Sequence, residues 1–116
     1  MERELRDSQV PGISSDGKFT HAYRAALTLA TVLLHVSGYS PARGQSHHHR
    51  TIEAISKILG DGLKDDVSYL QSCRAKRNAA EYDSANEATE TEAQELFEFA
   101  KEFAQTVRTW LKKYFP

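Results

Sequence analysis

The stretch 89-TETEAQELFEFAKEFAQTVRTWLKKY-114 decides the fold. Ala93, Leu96, Ala100, Phe103, Val107, Trp110 and Tyr114 recur at spacings of three and four, the signature of one face of an α-helix. Thr89 followed by Glu92 forms a capping box that fixes where the helix begins. Acids crowd its first turns and Arg108, Lys112 and Lys113 sit in the last two, matching the helix dipole at both ends. Phe97, Phe99 and Ala104 lie off the main stripe, so the helix is apolar on two adjoining faces. That width suggests a partner surface beyond its own bundle.

Working outward, the same period recurs three more times, and no stretch alternates apolar and polar residues long enough for a sheet. A first helix is predicted from Asp16 to Ser37, capped by Ser15 or Asp16 and stopped by Gly38, with Phe19, Tyr23, Ala26, Ala30, Leu33 and Leu34 as its stripe. The loop 38-GYSPARGQ-45 follows. A second helix starts at Ser46 as cap and ends at Leu59 before Gly60, with Ile52, Ile55 and Leu59 on one face and His48 four residues before Ile52. A third opens near 61-DGLKDD-66 and carries Leu63, Val67, Leu70 and Cys73 on a face that continues to Arg77 and Ala80. Residues 1–14 read as an N-terminal arm, with room for a short leading helix, and 15–116 as a single domain. Four helices joined by short loops predict an all-α, antiparallel up-and-down four-helix bundle.

The totals narrow the function. At 116 residues the chain fits one domain. A formal net charge of −1 argues against nucleic-acid binding driven by global charge, although residues 74–77 carry +3 and residues 81–98 hold seven acids with no Lys or Arg. Cys73 is the single cysteine, so no intrachain disulfide forms and a reducing cytoplasm is the simplest compartment. The longest apolar run, 25-AALTLATVLLHV-36, is too short and too polar to span a bilayer, and the start lacks a signal-peptide core.

The third helix ends in unusual chemistry, 74-RAKRNAAEYD-83. Arg77 lies seven residues after Leu70, so helical geometry points it at the bundle, where a guanidinium needs a carboxylate, carbonyls or an open cleft. Glu81 is four residues on, and Asn78 with Tyr82 forms a second pair at the same spacing; Asp83 adds another carboxylate. One reading is a rim salt bridge beside an amphipathic tyrosine. The other is an anion-facing cleft in which Arg77 grips a phosphate through its planar fork and Asn78 orients it, with Arg74 and Lys76 as a basic rim. Spacing leaves both open.

The segment resembles the signature of HEPN domains, helical bundles whose third long helix ends in Arg, a polar residue, three others, then His. Here Arg77, Asn78 and Tyr82 occupy those places. The order 38-GYSP-41, a Gly and paired His before 51-TIEAI-55, then 73-CRAKRNAAEYD-83 is similar to a HEPN subgroup over most of residues 19–114. The resemblance implies an RNA- or nucleotide-binding component of a toxin–antitoxin, defence or stress system, acting beside a nucleotidyltransferase-type partner. It also implies a homodimer through the Arg77 cleft face and the last helix. In catalytic members Arg steadies the phosphate and His moves the proton in metal-independent RNA cleavage. Tyr82 stands in the place of that His. A phenol with a pKa of ~10 is a poor base beside an imidazole at ~6.5, so the resemblance implies binding ahead of cleavage. Tyr82 is also a candidate acceptor of AMP, as a motif-proximal tyrosine is in some of these systems.

The run 47-HHH-49 bears on the missing imidazole. Consecutive helical residues point about 100° apart, so the three cannot share a metal ion, and no cofactor is expected. His48 on the apolar face reads by default as a core histidine. The sharper expectation is that His47 or His48 meets the end of the third helix, where an antiparallel pairing brings the start of the second. A different class of function is a non-catalytic dimerisation or interaction module whose polar cluster fixes helix register.

Overall fold

The computed structural model describes residues 14–38, 47–80 and 88–115. The chain is all-helical there, with four α-helices and no strand among the described residues. They are α1 (Ser15–Val36), α2 (His47–Leu59), α3 (Lys64–Ala80) and α4 (Glu90–Tyr114), with a 3-10 turn at Asp61–Leu63 leading into α3. Except for Ser14, the expected N-terminal arm lies outside the described residues, as do Ser46, Glu81, Tyr82 and Asp83.

The caps follow from local chemistry. Ser14, one residue earlier than expected, caps α1 by accepting a 3.0 Å hydrogen bond on Oγ from the Gly17 amide. At the other end Gly38 takes φ 76°, the left-handed conformation that glycine adopts without a Cβ penalty. The α4 capping box is complete: the Glu92 amide donates to Thr89 Oγ1 at 3.1 Å, and the Thr89 amide donates to Glu92 Oε1 at 2.9 Å.

α1 is the central helix. Phe19, Ala22, Tyr23, Ala25, Ala26, Leu29, Ala30, Leu33 and Leu34 are all buried, a spread too wide for one face. Its alanines let α2, α3 and α4 all pack around it. The core is completed by Ile52 and Ile55 from α2, Val67, Leu70 and Cys73 from α3, and Ala93, Leu96, Ala100, Phe103 and Val107 from α4. Each large aliphatic side chain buried here contributes roughly 1.5–3 kcal/mol relative to exposure.

The direction of α1 departs from a simple up-and-down bundle. The Ser15 hydroxyl donates to Glu90 Oε1 at 2.8 Å, Lys18 Nζ lies 3.4 Å from Glu90 Oε2, and the Ala88 amide donates to Asp16 Oδ1 at 3.4 Å. The first turn of α1 therefore meets the first turn of α4. In an up-and-down bundle it would face the other end of α4, ~37 Å away for a helix of this length. α2 also begins near this end, with the His48 ring 6.3 Å from that of Tyr23. α3 runs the opposite way: Lys76 pairs with Glu92 at 3.2 Å, and Tyr69 lies against Phe99 at 4.9 Å between centroids. So α1, α2 and α4 start where α3 finishes. Ten positions separate Val36 from His47, and a connection of that length does not force antiparallel neighbours.

The shared start also explains the end of α4. Trp110 is only partly buried and Tyr114 is 56% exposed, although both continue the apolar stripe. α1 has 22 residues against 25 in α4 and begins level with it, so it runs out before Tyr114 is covered. Among the described residues, no helix is long and apolar enough to cross a membrane.

Candidate functional site

The start of α2 and the end of α3 bring Arg74, Arg77, His47 and His48 to one end of the molecule. α2 opens with His47, His48, His49 and Arg50 and has no acid in its first turn, so the positive pole of the helix is left uncompensated by its own sequence. α3 delivers Arg74 and Arg77 beside it. Gln71 fastens the two helices: its Nε2 donates to the His49 carbonyl at 3.0 Å and to Glu53 Oε1 at 3.0 Å, while its Oε1 accepts from Arg74 Nε at 2.9 Å. Arg74 is thereby oriented by the helix pair, a placement a freely solvated rim cation would not have.

Arg77 is half-buried, and its Cζ lies 5.7 Å from the centroid of the Tyr23 ring, in the range of a cation–π contact. The inward direction expected from its spacing after Leu70 thus ends on an aromatic face of α1. His48 is exposed and so is not the core histidine its place on the apolar face suggested; it leans on the same ring, tilted by 49°, and its own ring is 6.2 Å from that of His47. His48 is held below the ordinary imidazole value, first by burial and then by the charges of Arg77, His47 and Arg74. It is therefore neutral at pH 7, able to accept a proton or a hydrogen bond.

Tyr23 is the floor of this cluster and 1% exposed. Burial pushes its phenol up to about 12, with Arg77 and Arg74 pulling the other way. Its Oη is buried and has no hydrogen-bond partner among the described residues. Sequence reasoning assigned Tyr23 to the core, as its helical position dictates. Nothing in its spacing signals that an arginine from α3 and a histidine from α2 lie against its ring.

The remaining expected site residues divide. Arg77, Arg74, His47 and His48 come together at one end of the molecule. Asn78 is on α3 but exposed. Glu81, Tyr82 and Asp83 lie outside the described residues. Lys76, expected beside Arg74 in the basic rim, turns toward α4 instead and pairs with Glu92. Among the described residues, no group of three or more His, Cys, Asp or Glu side chains is arranged to hold a metal ion.

A second feature was not foreseen. Between α3 and α4 an open groove of about 570 Å³ is floored by Tyr69 and Phe99 and walled by Asp66, Glu95, Glu98 and Glu102. Burial, then the neighbouring Asp65 and Glu102 charges, raise the Asp66 carboxyl above its ordinary value. This acidic side repels phosphate, whereas the arginine end attracts it. Comparison of the chain with protein families, curated proteins and solved structures gives no match.

Proposed function

We propose that this chain is a HEPN-like protein that binds RNA or a nucleotide by its phosphate at the Arg77 end of α3, and that binding rather than cleavage is its activity. The observation that carries this reading is the half-buried Arg77 guanidinium over Tyr23, with His48 against the same ring. A planar guanidinium is suited to fork two oxygens of one phosphate, and the positive start of α2 adds a favourable potential for an anion. Arg74, held by Gln71, is pre-oriented and loses less entropy on binding.

The roles of the site residues follow from their chemistry. Arg77 grips the phosphate, Arg74 and His47 extend the cationic surface, and Asn78 offers an exposed amide for hydrogen bonds to sugar or base. Neutral His48 accepts a hydrogen bond, and it is the imidazole available should any metal-independent cleavage occur. Tyr82, with Glu81 and Asp83, completes the resemblance as a hydrogen-bonding phenol in place of the motif histidine. The same reading carries a toxin–antitoxin, defence or stress context and a nucleotidyltransferase-type partner.

A second reading is an interaction module, favoured by the Gln71 bridge, which fixes the register of α2 against α3 without a ligand. One experiment separates the two. Arg77→Ala should weaken binding of a labelled single-stranded RNA by at least about tenfold, the loss of a charge-assisted hydrogen bond, with an unchanged circular dichroism spectrum. Wild-type and mutant binding the RNA equally well, or Arg77→Ala acting only by unfolding the chain, would leave the interaction module standing.

A further inference from the structure

We propose that the buried Tyr23 hydroxyl is itself a ligand-binding group, donating a hydrogen bond to a phosphate oxygen held by Arg77. The proposal rests on the phosphate-binding reading of this site and adds to it a contact from α1 that the α2 and α3 residues do not supply.

The argument starts from a mismatch between side chain and surroundings. Tyr23 fills a place in the core that phenylalanine would fill with the same ring. The hydroxyl adds a polar atom that is removed from water and has no hydrogen-bond partner among the described residues. Such a group is unfavourable for folding alone. Thr51, a buried polar side chain among the described residues, behaves differently: its Oγ1 donates to the His47 carbonyl at 2.9 Å. Tyr23 is thus more polar than its structural place requires.

Its neighbours indicate what would satisfy it. Arg77 and Arg74 both act electrostatically on the phenol, and the His48 ring adjoins it. Burial keeps the phenol protonated at neutral pH, so it offers a donor. The guanidiniums are also donors only. A phosphate accepts from a phenol and a guanidinium at once. Arg77 covers the ring but is only half-buried, and its flexible stem lets the guanidinium lift with an anion bound to it. The ligand class is a phosphate ester, as a nucleotide or within RNA.

Tyr23→Phe tests this because it keeps the ring and removes one oxygen. Binding is measured by anisotropy with a labelled single-stranded RNA and by calorimetry with AMP, which tells a chain phosphate from a mononucleotide phosphate. The expected result is affinity at least about tenfold lower for whichever probe the wild type binds, with a melting temperature unchanged or raised by a few degrees. Tyr114→Phe, at an exposed position, should change neither. Unaltered affinity in Tyr23→Phe, with affinity lost in Arg77→Ala, overturns the role of Tyr23 and leaves the phosphate site in place. A marked fall in melting temperature for Tyr23→Phe would show a structural hydroxyl and also overturn it. Failure of the wild type to bind either probe removes the phosphate reading and this proposal together.

Discussion

Cys73 shows how much of a single residue's behaviour follows from its place. It lies on the α3 stripe at 4% exposure, and burial pushes its thiol up to about 11. Since the thiolate is the reactive form, native protein at pH 8 should react with a thiol reagent far more slowly than the same protein in denaturant. Prompt stoichiometric labelling of the folded chain would contradict this placement. The stripe that buries Cys73 also directs Arg77 inward, so both positions were legible from spacing. What Arg77 meets was not legible. The ring beneath it belongs to Tyr23, 54 positions earlier, and periodicity relates only residues of one helix. Lys76 shows the same limit, since its partner Glu92 comes from the next helix.

At the scale of the elements, the helix boundaries rest on local contacts that a sequence displays openly. Glu92 in the α4 capping box is held below the ordinary carboxylate value, chiefly by the Thr89 amide. Removing the cap with Thr89→Ala should destabilise the protein by about 1 kcal/mol. That appears as a lower urea midpoint with an unchanged slope, and a midpoint equal to wild type would show that the first turn of α4 does not contribute to folding. Gly60, at φ 102°, separates α2 from the 3-10 turn, as its position after Leu59 indicated. The open groove between α3 and α4 had no such signature. Tyr69, Phe99 and four acids are ordinary surface and stripe residues until two helices stand apart enough to leave space between them.

At the scale of the molecule, the decisive fact is that α1 begins beside the start of α4. A nitroxide on Ser15→Cys should broaden the amide signals of residues 88–92 and leave residues 110–114 sharp; the buried Cys73 thiol should escape labelling. The reverse pattern would restore the up-and-down arrangement and separate Tyr23 from Arg77 and His48. By itself the sequence determined the helical class, the approximate limits of the four described helices, the α4 capping box and the apolar stripe each helix buries. These depend on residues within about a turn of one another. Only the tertiary structure decided which way α1 runs, which helices meet its several buried faces, and that one phenol ring lies against a guanidinium from α3 and an imidazole from α2. Amphipathic periodicity specifies that a face is covered, but neither the neighbour that covers it nor that neighbour's direction.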